Sequence, residues 1–131
     1  MKRSESREAA FLLLFEYCFR PEAQPEELIS ARDSGEFPYD DYTVSLTRGV
    51  IKEVEHLDAV IDTYSTKWRS GRLSKATLTA LRMAVYEIEH AERDNLEAVY
   101  INEAVNLIKK YDSVDSSKYA NGILGAYVGK K

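Results

Sequence analysis

Leu46, Val50, Val54, Leu57, Ile61 and Tyr64 recur at steps of 4, 4, 3, 4 and 3. That spacing constrains the fold more than any other feature of the chain. It matches the 3.6-residue turn of a helix, so the six side chains share one helical face and would scatter over both faces of a strand. Residues 40–66 are expected to form one long helix that bends near His56. A helix with one apolar stripe must bury it against another layer. No run of period-two alternation occurs elsewhere, so the partners are expected to be helices rather than a sheet.

The rest of the chain supplies them. Residues 4–19 carry Ala10, Phe11, Leu14 and Cys18 on one stripe, and Pro21 lies beyond its end. Arg3 and Arg7 continue the same line backwards, so the first turn or two are expected to project past the core. A short helix over 25–33 has Pro25 in its first turn, Glu26 and Glu27 at its positive end and Gly35 after it. Gly71 in "WRSGRLS" interrupts the pattern, and Ser74 is placed to cap a helix striped by Leu78, Leu81, Val85 and Ile88. In the next helix Ile101, Ala104, Val105 and Ile108 are expected inside, with Asn102, Asn106, Lys109 and Lys110 on the other side. Asp115 or Ser116 is expected to cap the last helix, with Tyr119, Ala120, Ile123, Leu124 and Tyr127 inward. Gly122 and Gly125 interrupt that helix at up to ~1 kcal/mol each against Ala, which points to a neighbour packed on its backbone. The expected fold is all-α, a bundle of about six helices.

At 131 residues the chain is the size of one domain and long enough to bury a core without staples. No apolar run approaches the roughly 18 residues of a membrane span. "FLLLF" near the N-terminus lacks the small-residue cleavage site of a signal peptide. Cys18 is the single cysteine, so no intrachain disulfide forms, and the cytoplasm is the expected compartment. The formal net charge of −4 argues against indiscriminate nucleic-acid binding but leaves room for a local basic patch.

Signatures of catalysis are missing. There is no glycine-rich phosphate loop, and His56 and His90 have no partner at metal-ligand spacing. The adjacent carboxylates of "YDDY" read as a solvated turn, and Cys18 reads as a structural thiol. No enzyme is expected, which leaves binding.

Laid end to end, several segments resemble the NusB transcription antitermination family. "REAAFLLLF" looks like its first helix and "LTRGVIKEVEHLDAVI" like its long helix. "WRSGRLSKATLTALRMAVYEI" is similar to its tryptophan-to-arginine segment and following leucine-arginine helix. "INEAVNLIKKY" followed by "DSSKYANGIL" is the most specific match. Asn102, Glu103 and Asn121 fall on signature positions, with structural and partner-contact roles both open.

The resemblance implies two helical subdomains, about 1–70 and 71–131, and six to seven helices. It implies a role in processive antitermination and ribosomal RNA transcription, with no cofactor. The implied partners are NusE, a small-subunit ribosomal protein, the boxA segment of nascent single-stranded RNA, and the antitermination complex on RNA polymerase. Some members form homodimers. By position, Lys2, Arg3, Arg7 and Lys118 are the implied RNA contacts. Phe15, Thr77, Arg82, Tyr86 and Asp115 are the implied NusE contacts. Ion pairing of Arg82 with Glu87 or Glu89, packing of Tyr86 and N-capping by Asp115 are the alternatives.

Three departures bear on function. The basic arm is thin, interleaved with Glu5 and Glu8; Thr77 stands where the family usually has an acidic residue; and Gly125 replaces a common aspartate. They motivate an alternative reading, a protein–protein module or homodimer with little intrinsic RNA binding. A third reading, the helical domain that precedes some ribosomal RNA cytosine methyltransferases, lacks any site for a methyl donor.

Overall fold

The computed structural model describes residues 1–32, 35, 37–67, 70–92 and 94–130. Trp68 and Arg69 of "WRSGRLS", Arg93, and the expected end of the second helix at Asp33 lie outside the described residues. Seven α-helices, two 3₁₀ turns and no strand occur among the described residues. They fall into two compact units, Met1–Lys52 and Glu53–Lys131. None of the helices is long and apolar enough to cross a membrane.

The first unit holds α1 (Arg3–Phe19), α2 (Pro25–Ser30) and α3 (Asp41–Lys52), each packed on the other two. Ala10, Phe11, Leu13, Leu14 and Tyr17 of α1, Leu28 and Ile29 of α2 and Leu46 and Val50 of α3 are buried in this unit. Cys18 is only half-buried, so the inward stripe runs through Tyr17 instead. The first turns of α1 do not project past the core as expected. Ser6 is fully buried and Arg7 is 6% exposed.

The second unit holds α4 (Val54–Tyr64), α5 (Lys75–Glu89), α6 (Glu97–Tyr111) and α7 (Val114–Lys130), with 3₁₀ turns at Ser70–Arg72 and Asp94–Leu96. Helix α5 packs on α4, α6 and α7. Its expected stripe is buried, and Ala76, Ala80, Met83 and Ala84 are buried as well, so nearly all of its circumference is core. In α6 the inward residues are Ala104, Leu107 and Ile108. Ile101 and Val105 are half-buried, a rotation of the predicted face toward Leu107.

The long stripe from Leu46 to Tyr64 belongs to two helices. α3 stops at Lys52, Glu53 leaves helical geometry (φ −107°, ψ 16°), and α4 starts at Val54, about one turn before the bend expected near His56. The physical reason is that the stripe serves two cores. Leu46 and Val50 bury in the first unit, Leu57 and Ile61 in the second, and Val54 between them is half-buried. A period-3.6 pattern cannot register such a change of partner. Gly122 and Gly125 also differ from expectation. A Cβ built at either meets no heavy atom within 4 Å among the described residues, so no neighbour requires them to be glycine.

Candidate nucleic-acid interface

In the first unit the starts of α1 and α3 are tied together. Asp40 caps α3, its Oδ1 accepting from the Thr43 N–H at 3.0 Å, while its Oδ2 accepts from the Ser6 hydroxyl at 2.6 Å. The Thr43 hydroxyl donates back to the Ser6 carbonyl at 3.0 Å. The hydrogen bond from Ser6, with that from the Thr43 backbone, holds the Asp40 carboxyl down at about 2. The "YDDY" carboxylates are therefore not a plain solvated turn, because Asp40 has a fixed structural duty.

That clasp fixes Tyr42 in the first turn of α3, beside the basic arm. The Arg3 guanidinium lies 3.9 Å from the centre of the Tyr42 ring and that of Arg7 lies 5.6 Å from it. Lys2 and Arg3 are exposed, whereas Arg7 is nearly buried. The Lys2 N–H donates to Glu5 Oε1 at 2.8 Å, which caps α1 but places a carboxylate near the arm. Further along α1, Phe15 is half-buried, stacks on Phe11 at a ring separation of 6.1 Å and meets Phe19 edge-on at 5.3 Å, with Phe19 62% exposed.

In the second unit the N-termini of α5 and α7 converge on a cleft of about 530 Å³, lined by Lys67, Arg72, Leu73, Ser74, Thr77, Asp115, Ser116 and Tyr119. Ser74 caps α5, accepting from the Thr77 N–H at 3.1 Å, as its sequence position implied. Ser113, not Asp115 or Ser116, caps α7 and accepts from the Ser116 N–H at 3.0 Å. Behind the cleft Asp112 accepts from the hydroxyls of Ser74 and Thr77. Burial pushes its carboxyl up, but the hydrogen bonds from Ser74, Thr77 and Ser116 outweigh burial and leave it below the usual range. The Tyr119 hydroxyl accepts from the Lys67 N–H at 3.0 Å and bonds the Ser65 hydroxyl at 2.7 Å, fixing one wall. The cleft thus combines two cations, one carboxylate at Asp115, the N–H groups of two helix starts and an aromatic ring; the cations, N–H groups and ring are the chemistry that holds a phosphate and a base.

The residues singled out in the sequence are distributed over these features. Thr77 and Asp115 line the cleft, Thr77 buried and Asp115 exposed, and Lys118 is exposed on the first turns of α7. Arg82 is an ion-pair residue with Asp58 as a partner, through Nε–Oδ1 at 2.7 Å and Nη2–Oδ2 at 2.8 Å. Tyr86 is half-buried and stacks on His90, with ring centres 4.2 Å apart. His90 in turn meets Glu53, and His56 meets Glu89, each at 2.9 Å. Asn102 and Asn121 are exposed. Among the described residues no group of three or more His, Cys, Asp or Glu could hold a metal ion.

Sequence reasoning missed Tyr42, Lys67, Arg72, Asp112 and Tyr119. The hydroxyl residues at positions 74, 77 and 116 around one aspartate were the available signal, but their pairing is not local in sequence.

Fold and sites together give an all-helical protein with cationic, aromatic-edged surfaces among the described residues. Comparison with known proteins narrows the class. The NusB family profile matches residues 4–128. The transcription antitermination protein NusB of Acetivibrio thermocellus is 35% identical over the whole chain and 91% of its own length. That of Levilactobacillus brevis is 39% identical over 95% of this chain and 90% of its own. Among solved structures, NusB of T. maritima has a TM-score of 0.82 and 30% identity, over 99% of this chain and 92% of its own. Antitermination factors NusB and NusE in complex with double-stranded RNA give a TM-score of 0.85 at 25% identity, over 98% of this chain and 97% of that one. The chain belongs to the NusB family.

Proposed function

We propose that the protein is a transcription antitermination factor that pairs with the ribosomal protein NusE and binds boxA-type single-stranded RNA. It works in the cytoplasm as a binding protein rather than an enzyme, within the antitermination complex on RNA polymerase. The observation that carries this reading is the likeness, over 98% of the chain, to antitermination factors NusB and NusE in complex with double-stranded RNA; the single-stranded boxA target is what the family resemblance implies. On this reading Lys2, Arg3 and Lys118, all exposed, contact phosphates. Arg7 adds positive potential from beneath the arm. The cleft lined by Lys67, Arg72 and Tyr119 takes RNA. Phe15, Tyr86 and Asp115 present surface to NusE, while Thr77 and Arg82 hold their helices in place through Asp112 and Asp58.

The test is fluorescence anisotropy with a short boxA-like RNA, with and without NusE, at two salt concentrations. The expected result is salt-sensitive binding that NusE strengthens. Removing Arg3 and Lys118 lowers the log–log salt slope by about 0.7 for each lost phosphate contact. A NusE complex that forms yet binds no RNA overturns the reading in favour of a protein-interaction module.

A further inference from the structure

We propose that Arg3 and Tyr42 form a subsite for one nucleobase of single-stranded RNA, as a three-layer stack of ring, guanidinium and base. The inference rests on the RNA-binding reading above and names the contact made by the arm. A guanidinium is planar and has two faces. One face of Arg3 lies on the Tyr42 ring at 3.9 Å, a stacking distance. Arg3 is exposed, so its other face is open to a base. Unpaired bases are commonly held on arginine planes in this way.

The platform is built rather than incidental. The backbone that carries Tyr42 is held in place, because the start of α3 is fastened to α1 by Ser6–Asp40 and Thr43–Ser6 hydrogen bonds, with Ser6 and Thr43 fully buried. An arginine already laid on a fixed ring has less rotamer freedom to lose on binding than one in a free tail. The Arg7 guanidinium, 5.6 Å from the same ring, keeps a second positive charge beneath the stack. This also addresses the thinness of the arm. Few cations are needed if one of them is preorganised to read a base as well as a charge.

The experiment uses the full chain in complex with NusE and boxA-like RNAs carrying 2-aminopurine at each position in turn. One position is expected to change fluorescence on binding through its stack on Arg3. Arg3→Lys keeps the charge but removes the plane. It is expected to abolish that change and to weaken binding about five- to tenfold at an unaltered salt slope. Tyr42→Leu is expected to do the same, and Tyr42→Phe, which keeps the ring, to rescue the loss. Thermal melting separates a folding defect in Tyr42→Leu from a stacking defect, and Arg3→Lys carries the test if that variant is unstable. RNA binding that Arg3→Lys leaves unchanged in affinity and fluorescence overturns the subsite while leaving the functional reading intact. A complex that binds no RNA overturns both.

Discussion

Replacing Arg82 tests whether this residue acts through the fold or through a partner. Its guanidinium meets Asp58 in two charge-assisted hydrogen bonds of 2.7 and 2.8 Å, with side chains 12% and 28% exposed. Breaking a fully buried pair costs about 3–5 kcal/mol, because a charge is left behind, whereas exposed pairs contribute under about 1. At this partial burial Arg82→Met should cost about 2 kcal/mol and Asp58→Asn about 1.5, scaling between those limits. Each single change already breaks this pair, so making both breaks it only once. The double variant should therefore cost about 2 kcal/mol rather than the sum, a coupling near 1.5. For a chain of this length each kcal/mol moves Tm by about 3–5 °C, so Arg82→Met should melt about 6–10 °C lower. Urea unfolding of the four proteins measures the cycle. A coupling below about 0.5 kcal/mol would refute the argument. NusE titration on the same proteins reads the other role: a loss confined to Arg82→Met, with Asp58→Asn unaffected, would make Arg82 a direct contact.

Three other outcomes follow from the structure. Ile108→Asp buries an uncompensated charge at a fully enclosed position and should abolish the helical circular-dichroism melt, while Val105→Asp, at a half-buried position, should leave a folded protein; equal damage at both sites would contradict the observed face of α6. Gly122→Ala and Gly125→Ala enter open space inside a helix and should each raise stability by up to ~1 kcal/mol, so an unchanged or lower Tm would reveal a neighbour on that face. Asp40 has its carboxyl lowered from 3.8 to about 2 by Ser6 and Thr43; its contribution is complete above pH 4 and is lost as the pH falls toward 2. Asp40→Asn should make the acid limb of the stability curve shallower, and parallel curves would count against the clasp.

Much of the fold was legible because burial on a helix repeats within one turn. The stripe of α5, from Leu78 to Ile88, could be read directly from its period, and so could the cap at Ser74. The break at Glu53 could not, because both halves of that stripe are apolar and the change lies in which core receives them. The same limit applied to the site. Lys2, Arg3, Arg7 and Lys118 were singled out by position through the family resemblance. Tyr42 was set aside with its neighbouring aspartates, because only the Ser6–Asp40 contact, 34 positions apart, fixes it beside Arg3. Asp112 has Ser74 and Thr77 as partners 38 and 35 positions away, beyond the reach of any local pattern.

Helix α5 buries eleven of its fifteen residues. Those left are Lys75, Arg82, Tyr86 and Glu89, which follow one line along its length, and of these Arg82, Tyr86 and Glu89 are already engaged by Asp58, His90 and His56. Mutational drift at the other positions disturbs the core before it changes the outer surface of this helix. If the proposed NusE contact includes α5, a lineage adjusting that affinity has this strip of the helix to work with, and a step at Arg82, Tyr86 or Glu89 also disturbs a contact already made within the unit.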